Sequence, residues 1–205
     1  MGLDLLSRDQ PRSSRKALSD QHPPMSAAST FLADYRAAAA ERAALGVPAL
    51  PLSAEQTTAL TELLAAPPSG EEAFVLELLS ERIPPGVDEA AYVKASWLLA
   101  VAKGEATSPL VSPLEAVRLL ATMIGGYNVG ALIELLSHSD QTLAAAAAEG
   151  LSKTLLVYDA YNDVLELATS NPHAKRVIDS WAAAEWFTAK PELPSEITVT
   201  VFKVE

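Results

Sequence analysis

The sequence predicts an all-α protein, a helical-repeat solenoid of about eight or nine short helices. Three observations lead to this prediction. Apolar residues recur at helical spacing from about residue 29 to residue 190. Helix-start motifs of the form Ser-x-x-Glu or Ser-x-x-Gln alternate with glycine or proline stops at short intervals. No stretch between the predicted helices is long enough to form a separate polar domain.

Residues 1–28 are predicted to form a disordered tail. Serine, arginine and three prolines dominate the first 24 residues and leave little apolar surface to bury. A transit peptide is one interpretation of the arginines and serines, but Asp4, Asp9 and Asp20 count against it. The preferred interpretation is that this segment is an upstream start or an added stretch, with Met25 as the true first residue.

We expect a helical domain over residues 29–190. Its first three helices have clear boundaries. An alanine-rich helix over residues 29–45 carries Phe31, Leu32 and Tyr35 on one face and stops at Gly46. Capping boxes at residues 53–56 and 69–72 predict the starts of the next two helices. Prolines at 67 and 68 separate those two helices.

The central helical pair lies within residues 81–128. Asp88 is a favourable N-cap for a helix that is apolar on most of its circumference. Ser112, followed by proline and Glu115, predicts the start of the second helix. Gly125 and Gly126 predict its end. The residues expected to be buried on the first helix form two rows, Ala91, Ala95, Leu98 and Ala102, and Val93, Trp97 and Val101.

Helical periodicity continues to residue 190. Helices are predicted over residues 131–136, 143–157 and 164–168, and Asn171 with Pro172 predicts the cap of a last long helix. One helical pair recurs in roughly 40 residues, which is the spacing of a HEAT-like array.

The pattern changes near the C-terminus. Residues 197–204 alternate β-branched and polar residues and predict a short β-strand. A strand needs a neighbour, and no other segment here is a candidate. We therefore expect residues 191–205 to be a linker and the first strand of a following domain, and the chain to be a truncated piece of a longer protein.

No catalytic, cofactor-binding or metal-binding residue is predicted. The three histidines are distant from one another in the sequence and form no metal-binding motif. Three acidic residues on one helix could hold a hard cation weakly, but a solvated helix face is the preferred interpretation. The histidines are His22, His138 and His173, and the acidic residues are Asp159, Asp163 and Glu166.

Three other features have simple structural explanations. Residues 125–128, Gly-Gly-Tyr-Asn, resemble a phosphate-binding loop but lack its lysine and its preceding strand. The alanine run at residues 144–148 is explained by tight helix packing. Tryptophans 97, 181 and 186 lie at helical spacing, which favours core positions.

Composition excludes several classes of function. The chain has no cysteine, so it cannot form disulfides, use a thiol in catalysis or supply thiolate ligands. Its net charge is −11, and because the first 24 residues carry +1, the remainder carries about −12. Such a body is repelled by phosphate backbones, so nucleic-acid binding is disfavoured. No apolar run approaches the ~20 residues of a membrane span.

Five blocks in the sequence resemble a known family. They are IPPGVDEAAYVKA at residues 83–95, AKGEATSPL at 102–110, TMIGGYNV at 122–129, DSWAAAEWF at 179–187 and TVTVFKV at 198–204. In this order they closely resemble the N-terminal HEAT-like domain of bacterial aconitase B, and the resemblance covers roughly residues 31–204. One departure is Val129-Gly130-Ala131, where the family usually has Ile-His-Pro.

The resemblance implies a function for the longer protein. Aconitase B interconverts citrate and isocitrate through cis-aconitate on a [4Fe–4S] cluster held by three cysteines. The family's cluster ligands and substrate-binding residues lie beyond the segment that corresponds to this chain, so none is assigned here. In the family this domain is implicated in iron-dependent dimerisation, in protein contacts with substrate channelling, and in messenger RNA binding by the apo-enzyme.

These considerations lead to one main hypothesis and two alternatives. The main hypothesis is a non-catalytic interaction and dimerisation domain of a cytoplasmic aconitase B. Its expected partners are the remaining catalytic domains, a second copy and other metabolic enzymes. The alternatives are an independent helical-repeat adaptor and an RNA-binding regulatory module.

Overall fold

The computed structural model describes residues 27–154 and 160–184, and this part of the chain is all-α. The all-α prediction is therefore confirmed for the described residues. The predicted strand at 197–204 and most of the predicted tail lie outside them. The helices are α1 Ala27–Ala44, α2 Ala54–Ala65, α3 Glu72–Glu77, α4 Glu89–Lys103, α5 Pro113–Ala121, α6 Tyr127–Leu135, α7 Gln141–Ser152, α8 Tyr161–Leu167 and α9 Pro172–Ala182. A π-helical turn, Leu78–Arg82, continues α3.

The helices stack in two layers, as in a solenoid. Consecutive helices pack in pairs, α4 with α5, α6 with α7, and α8 with α9. Across the pairs, α5 contacts α7 and α7 contacts α9, so these three helices form one layer. Helices α2, α4 and α6 form the other, since α2 contacts α4 and α4 contacts α6. Each pair therefore buries its apolar faces against its neighbours, as expected of a repeat array.

One continuous apolar core runs through both layers. Leucines provide its largest fully buried side chains, and alanines fill the places where helices approach closely. One close approach joins α5 to α7, where a Cβ on Gly150 would lie 2.7 Å from the Cβ of Ala121. The fully buried leucines are Leu60, Leu64, Leu78, Leu79, Leu98, Leu120, Leu132, Leu135, Leu136 and Leu151.

Most of the predicted helix starts are confirmed. The Ser53 hydroxyl accepts the Gln56 N–H at 3.3 Å, and the Gln56 side chain accepts the Ser53 N–H at 3.0 Å, which completes the capping box of α2. Asp88 caps α4 by accepting the Ala91 N–H at 3.1 Å. Ser112 caps α5 and Asn171 caps α9, each with proline at the first helical position.

The capping box predicted at Ser69 does not form. Helix α3 begins at Glu72, its N-cap is Glu71, and no side chain caps it. Gly70 adopts φ 85°, which redirects the chain after the two prolines and places Ser69 outside the helix start. The Glu72 carboxylate instead accepts the N–H of Gly70 at 2.8 Å.

The prediction that Gly125 and Gly126 end the second central helix is also wrong. Helix α5 already ends at Ala121, and Gly126, with φ 95°, is the residue that precedes α6. Its left-handed conformation turns the chain into a helix instead of out of one. Helix α6 consequently begins at Tyr127 rather than at residue 131.

Candidate interaction surface

Two loops meet at the junction of α4, α5 and α6. The Pro-Gly loop, residues 83–88, precedes α4, and the Gly-Gly loop, residues 122–126, connects α5 to α6. The Ile124 N–H donates to the Pro85 carbonyl at 2.9 Å, and the Tyr127 hydroxyl donates to the Val87 carbonyl at 3.0 Å. The Gly125 backbone lies directly against that of Gly86, and a Cβ on Gly125 would have no room there. These contacts fix the two loops relative to each other.

Large apolar side chains on and beside these loops point into solvent. Val87 is 73% exposed, Ile124 68%, Tyr92 59% and Tyr127 40%. The two tyrosine rings meet edge to face, with centroids 5.4 Å apart and an interplanar angle of 74°. We call these four residues the apolar platform. Because their backbone is braced from both loops, the platform presents a preformed apolar surface.

A buried asparagine holds the Gly-Gly loop from beneath. Asn128 is fully buried, and its side-chain amide donates to the carbonyls of Leu120 at 3.0 Å and Met123 at 2.9 Å. The Leu120 carbonyl also accepts the Met123 N–H at 3.1 Å, so Asn128 adds a second hydrogen bond at the end of α5 and one to the loop that follows it. Its Oδ1 atom has no hydrogen-bond partner among the described residues. The loop that carries Ile124 is thus tied to the protein interior.

Two histidines that are distant in sequence share one surface depression. His138 and His173 both line a cavity of about 260 Å³ between the α6–α7 and α8–α9 turns. The His138 Nδ1 atom accepts the Asp140 N–H at 3.0 Å, and His173 Nε2 lies 3.0 Å from the Gln141 side-chain oxygen. Both rings therefore help to fix turns. His22 lies outside the described residues.

The described residues contain no group of three or more potential metal ligands. Asp163 and Glu166 are exposed on α8, and Asp159 lies outside the described residues. The [4Fe–4S] cluster implied by the family resemblance requires thiolates, and this chain has no cysteine. These residues do not fit such a cluster, and no chemistry of the cluster is assigned to them.

The tryptophans and alanines largely pack as predicted. Trp181 is 7% exposed and its indole N–H donates to the Leu151 carbonyl at 3.0 Å, while Trp97 is half-buried against the core. Trp186 lies outside the described residues. In residues 144–148 three alanines are buried, but Ala145 and Ala146 are half-buried and line a surface groove.

Sequence reasoning missed two features. The helical pattern does not predict the burial of Lys94, yet this residue is 2% exposed on α4, and burial lowers its pKa despite the nearby charge of Glu81. The apolar platform was also missed. Its signal in the sequence is an apolar residue placed between turn residues, Val87 after Gly86 and Ile124 before Gly125.

The described residues form an all-α helical-repeat domain. The chain matches the family described as "Aconitate B N-terminal domain" over residues 34–187, and it belongs to that family. The resemblance noted in the sequence is therefore confirmed. Within residues 27–154 and 160–184, no helix is sufficiently long and apolar to traverse a lipid bilayer.

Curated relatives named aconitate hydratase B are similar over most of the chain. The protein from Synechocystis sp. is 61% identical over 174 residues, that from Pseudomonas aeruginosa 58% over 175 residues, and that from Escherichia coli 56% over 175 residues. Each alignment covers 85% of this chain and 20% of the relative. The chain thus spans about a fifth of the length of these relatives.

Proposed function

We propose that the chain is a non-catalytic interaction domain of an aconitase B, and that the apolar platform docks it onto the remaining domains of that enzyme. The observation that carries this proposal is the platform itself, four exposed apolar side chains on and beside two mutually braced loops. The interconversion of citrate and isocitrate, with its cluster, belongs to those remaining domains.

The platform has the physical properties of a contact site. Tyrosines and large aliphatic side chains contribute strongly to protein interfaces when water is excluded from them. The hydrogen bonds from Ile124 to Pro85 and from Tyr127 to Val87 order the loops before any partner arrives. A preordered surface loses less conformational entropy on docking, so more of the contact energy stabilises the complex.

Covalent linkage favours the rest of the enzyme as the occupant. The relatives contain about four fifths of their length outside the matched segment. Domains joined in one polypeptide meet at an effective concentration in the millimolar range, so a modest interface suffices. Interfaces between domains of one chain are typically of this moderate kind.

A chimera tests the proposal. The matching segment of this chain replaces the 174-residue segment of the full-length Synechocystis enzyme. Val87→Ser and Ile124→Ser are introduced together, since both side chains are exposed and neither uses its side chain in a described hydrogen bond. We expect limited proteolysis to release the N-terminal domain at least tenfold faster from the variant, because docking no longer buries the platform.

A matched control is Leu45→Ser together with Leu165→Ser. Leu45 is 78% exposed and Leu165 44%, and neither belongs to the platform. Release from this control should equal that from the unsubstituted chimera. The proposal would be refuted if the platform variant released the domain at the same rate as the unsubstituted chimera. If the platform variant instead abolished self-association of the isolated chain and left the chimera intact, the platform would be a dimer interface and the proposal would be wrong.

A further inference from the structure

A groove crosses the layer formed by α5, α7 and α9. It has a volume of about 580 Å³ and shares no lining residue with the apolar platform. Its floor consists of small and aliphatic side chains that are partly open to solvent. The residues that line it are Leu114, Arg118, Ala121, Thr122, Thr142, Ala145, Ala146, Glu149, Gly150, Lys153 and Arg176.

The charge of the groove is opposite to that of the protein. Arg118, Lys153 and Arg176 contribute three cations against one carboxylate, Glu149, so the groove carries a net charge of +2 in a chain of net −11. Lys153 lies 2.7 Å from Glu149. The pKa of Glu149 is lowered chiefly by Lys153, with further contributions from Arg176 and Arg118.

Two of the cations keep much of their charge available. Arg176 forms no ion pair with another described residue. Arg118 forms one ion pair, with Glu115, at the long distance of 3.8 Å. Arg118 is 65% exposed in its side chain and Lys153 72%. Guanidinium groups on an open rim can form paired hydrogen bonds with an incoming carboxylate.

A ligand must also present an apolar surface to the floor of the groove. Leu114, Ala121, Ala145 and Ala146 supply most of it, and Gly150 allows α5 and α7 to approach closely at this point. Small residues on adjacent helices create a shallow trough into which larger aliphatic side chains can insert. A ligand that matches the whole groove therefore combines negative charge with an aliphatic face.

We propose that this groove binds an acidic amphipathic helical segment of another protein, with its aliphatic side chains on the floor and its carboxylates against Arg118 and Arg176. Helix axes in a layer lie 8–10 Å apart, so a groove across three helices is roughly 16–20 Å long. At 1.5 Å per residue, this corresponds to a helix of about 11 to 13 residues. Helices laid in apolar grooves are a common mode of peptide recognition.

Charge and shape favour this ligand over a nucleic acid. Glu149 lies within the groove, and the surrounding protein is strongly acidic, so a phosphate backbone would meet repulsion along most of its path. A small inorganic anion would leave the apolar floor in contact with water. An acidic amphipathic helix satisfies the cations and covers the floor together.

Selection from a displayed library of random 16-residue peptides on the full 205-residue chain tests this inference. We expect the enriched peptides to carry at least three Asp or Glu residues and to place Leu, Ile or Met at helical spacing. Their affinity should fall at least tenfold when Arg118→Glu and Arg176→Glu are combined, and should fall as salt rises from 50 to 200 mM, because the cations are exposed.

The control is Lys175→Glu. Lys175 precedes Arg176 on α9, is 65% exposed and does not line the groove, so it changes charge equally at a neighbouring position. Binding of the selected peptides should stay within twofold in this variant. The inference fails if no acidic peptide is enriched, if Lys175→Glu weakens binding as much as Arg176→Glu, or if a 20-nucleotide single-stranded RNA displaces the peptides at lower concentration than an acidic peptide does.

Discussion

The backbone of Gly125 lies directly against that of Gly86. A Cβ on Gly125 would overlap the Gly86 carbonyl group, well inside the contact distance of the atoms. The Pro-Gly loop and the Gly-Gly loop can therefore meet only because residue 125 is glycine. The apolar platform depends on this contact, since its exposed side chains lie on both loops and on the first residues of the helices that follow them.

The first prediction concerns this contact. Gly125→Ala should lower the free energy of unfolding by about 2–3 kcal/mol, because the methyl group forces the two loops apart. Urea unfolding at 25 °C measures the change. The hydrogen bonds from Ile124 to Pro85 and from Tyr127 to Val87 should weaken with it.

Gly130→Ala is the matched control. Gly130 lies within α6, its φ is not positive, and a Cβ added to it would have no neighbouring atom within 4 Å. Alanine there should raise the free energy of unfolding by about 0.5–1 kcal/mol, the usual difference in helix propensity. Equal effects of the two substitutions would show that the loops do not touch as described.

The second prediction concerns the contact between α5 and α7. Gly150→Ala should destabilise the fold by about 1–3 kcal/mol, since its Cβ would meet that of Ala121 at 2.7 Å. Ala121→Gly alone should cost about 1 kcal/mol through helix propensity. The double variant should lose less stability than the sum of the two single losses, because Ala121→Gly provides the space that Gly150→Ala needs. Strict additivity in urea unfolding would contradict the close approach.

The third prediction concerns Asn171, which joins two repeats. Its side-chain oxygen accepts the N–H groups of His173 and Ala174, and its amide donates to the Leu136 carbonyl at 2.8 Å. Asn171→Ala removes the cap and the bridge and should cost about 1–2 kcal/mol. Asn171→Asp keeps the cap and loses the bridge, so thermal unfolding should place it between alanine and the parent. An aspartate variant as unstable as the alanine variant would show that the bridge carries the whole effect.

The fourth prediction concerns the pH dependence contributed by Lys94. Burial lowers the pKa of its ammonium group below the usual 10.5. At any pH below the folded pKa the group is charged in the folded and unfolded states, and the folded state bears the full cost of burying the charge. As the pH rises from the folded pKa towards 10.5, the folded state binds fewer protons than the unfolded state, so this cost is relieved and stability increases.

Lys94→Met should therefore stabilise the fold at pH 7 by about 1–2 kcal/mol, and its advantage over the parent should shrink by pH 10.5. Urea midpoints of both proteins across this range measure the difference. Lys103→Met is the control, since the Lys103 ammonium pairs with Glu105 and Glu134 at the surface. An advantage of Lys94→Met that stayed constant with pH would contradict a buried charge.

The sequence was most informative where a local interaction sets the structure. The reciprocal hydrogen bonds of Ser53 and Gln56 and the caps formed by Asp88, Ser112 and Asn171 involve residues within three positions of one another. Helix periodicity likewise reflects local geometry, so the all-α fold and most helix starts could be predicted.

The failures have a physical reason in common. Gly125, Gly126 and Lys94 owe their roles to segments that are distant in the sequence or to the direction in which the chain leaves a turn. A left-handed glycine is equally compatible with the end and the start of a helix, and periodicity alone places Lys94 near an apolar face without showing that it is enclosed. The platform and the groove likewise arise from residues that only tertiary packing brings together.

Hydrogen–deuterium exchange provides the most direct test of the proposed docking. Exchange of amides in residues 83–92 and 122–128 is compared between the isolated chain and the chimera with the remaining Synechocystis domains. We expect these amides to exchange at least tenfold more slowly in the chimera, while those of α2 remain unchanged. Unchanged exchange at both loops, with protection confined to other helices, would contradict the assignment of the platform as the docking surface.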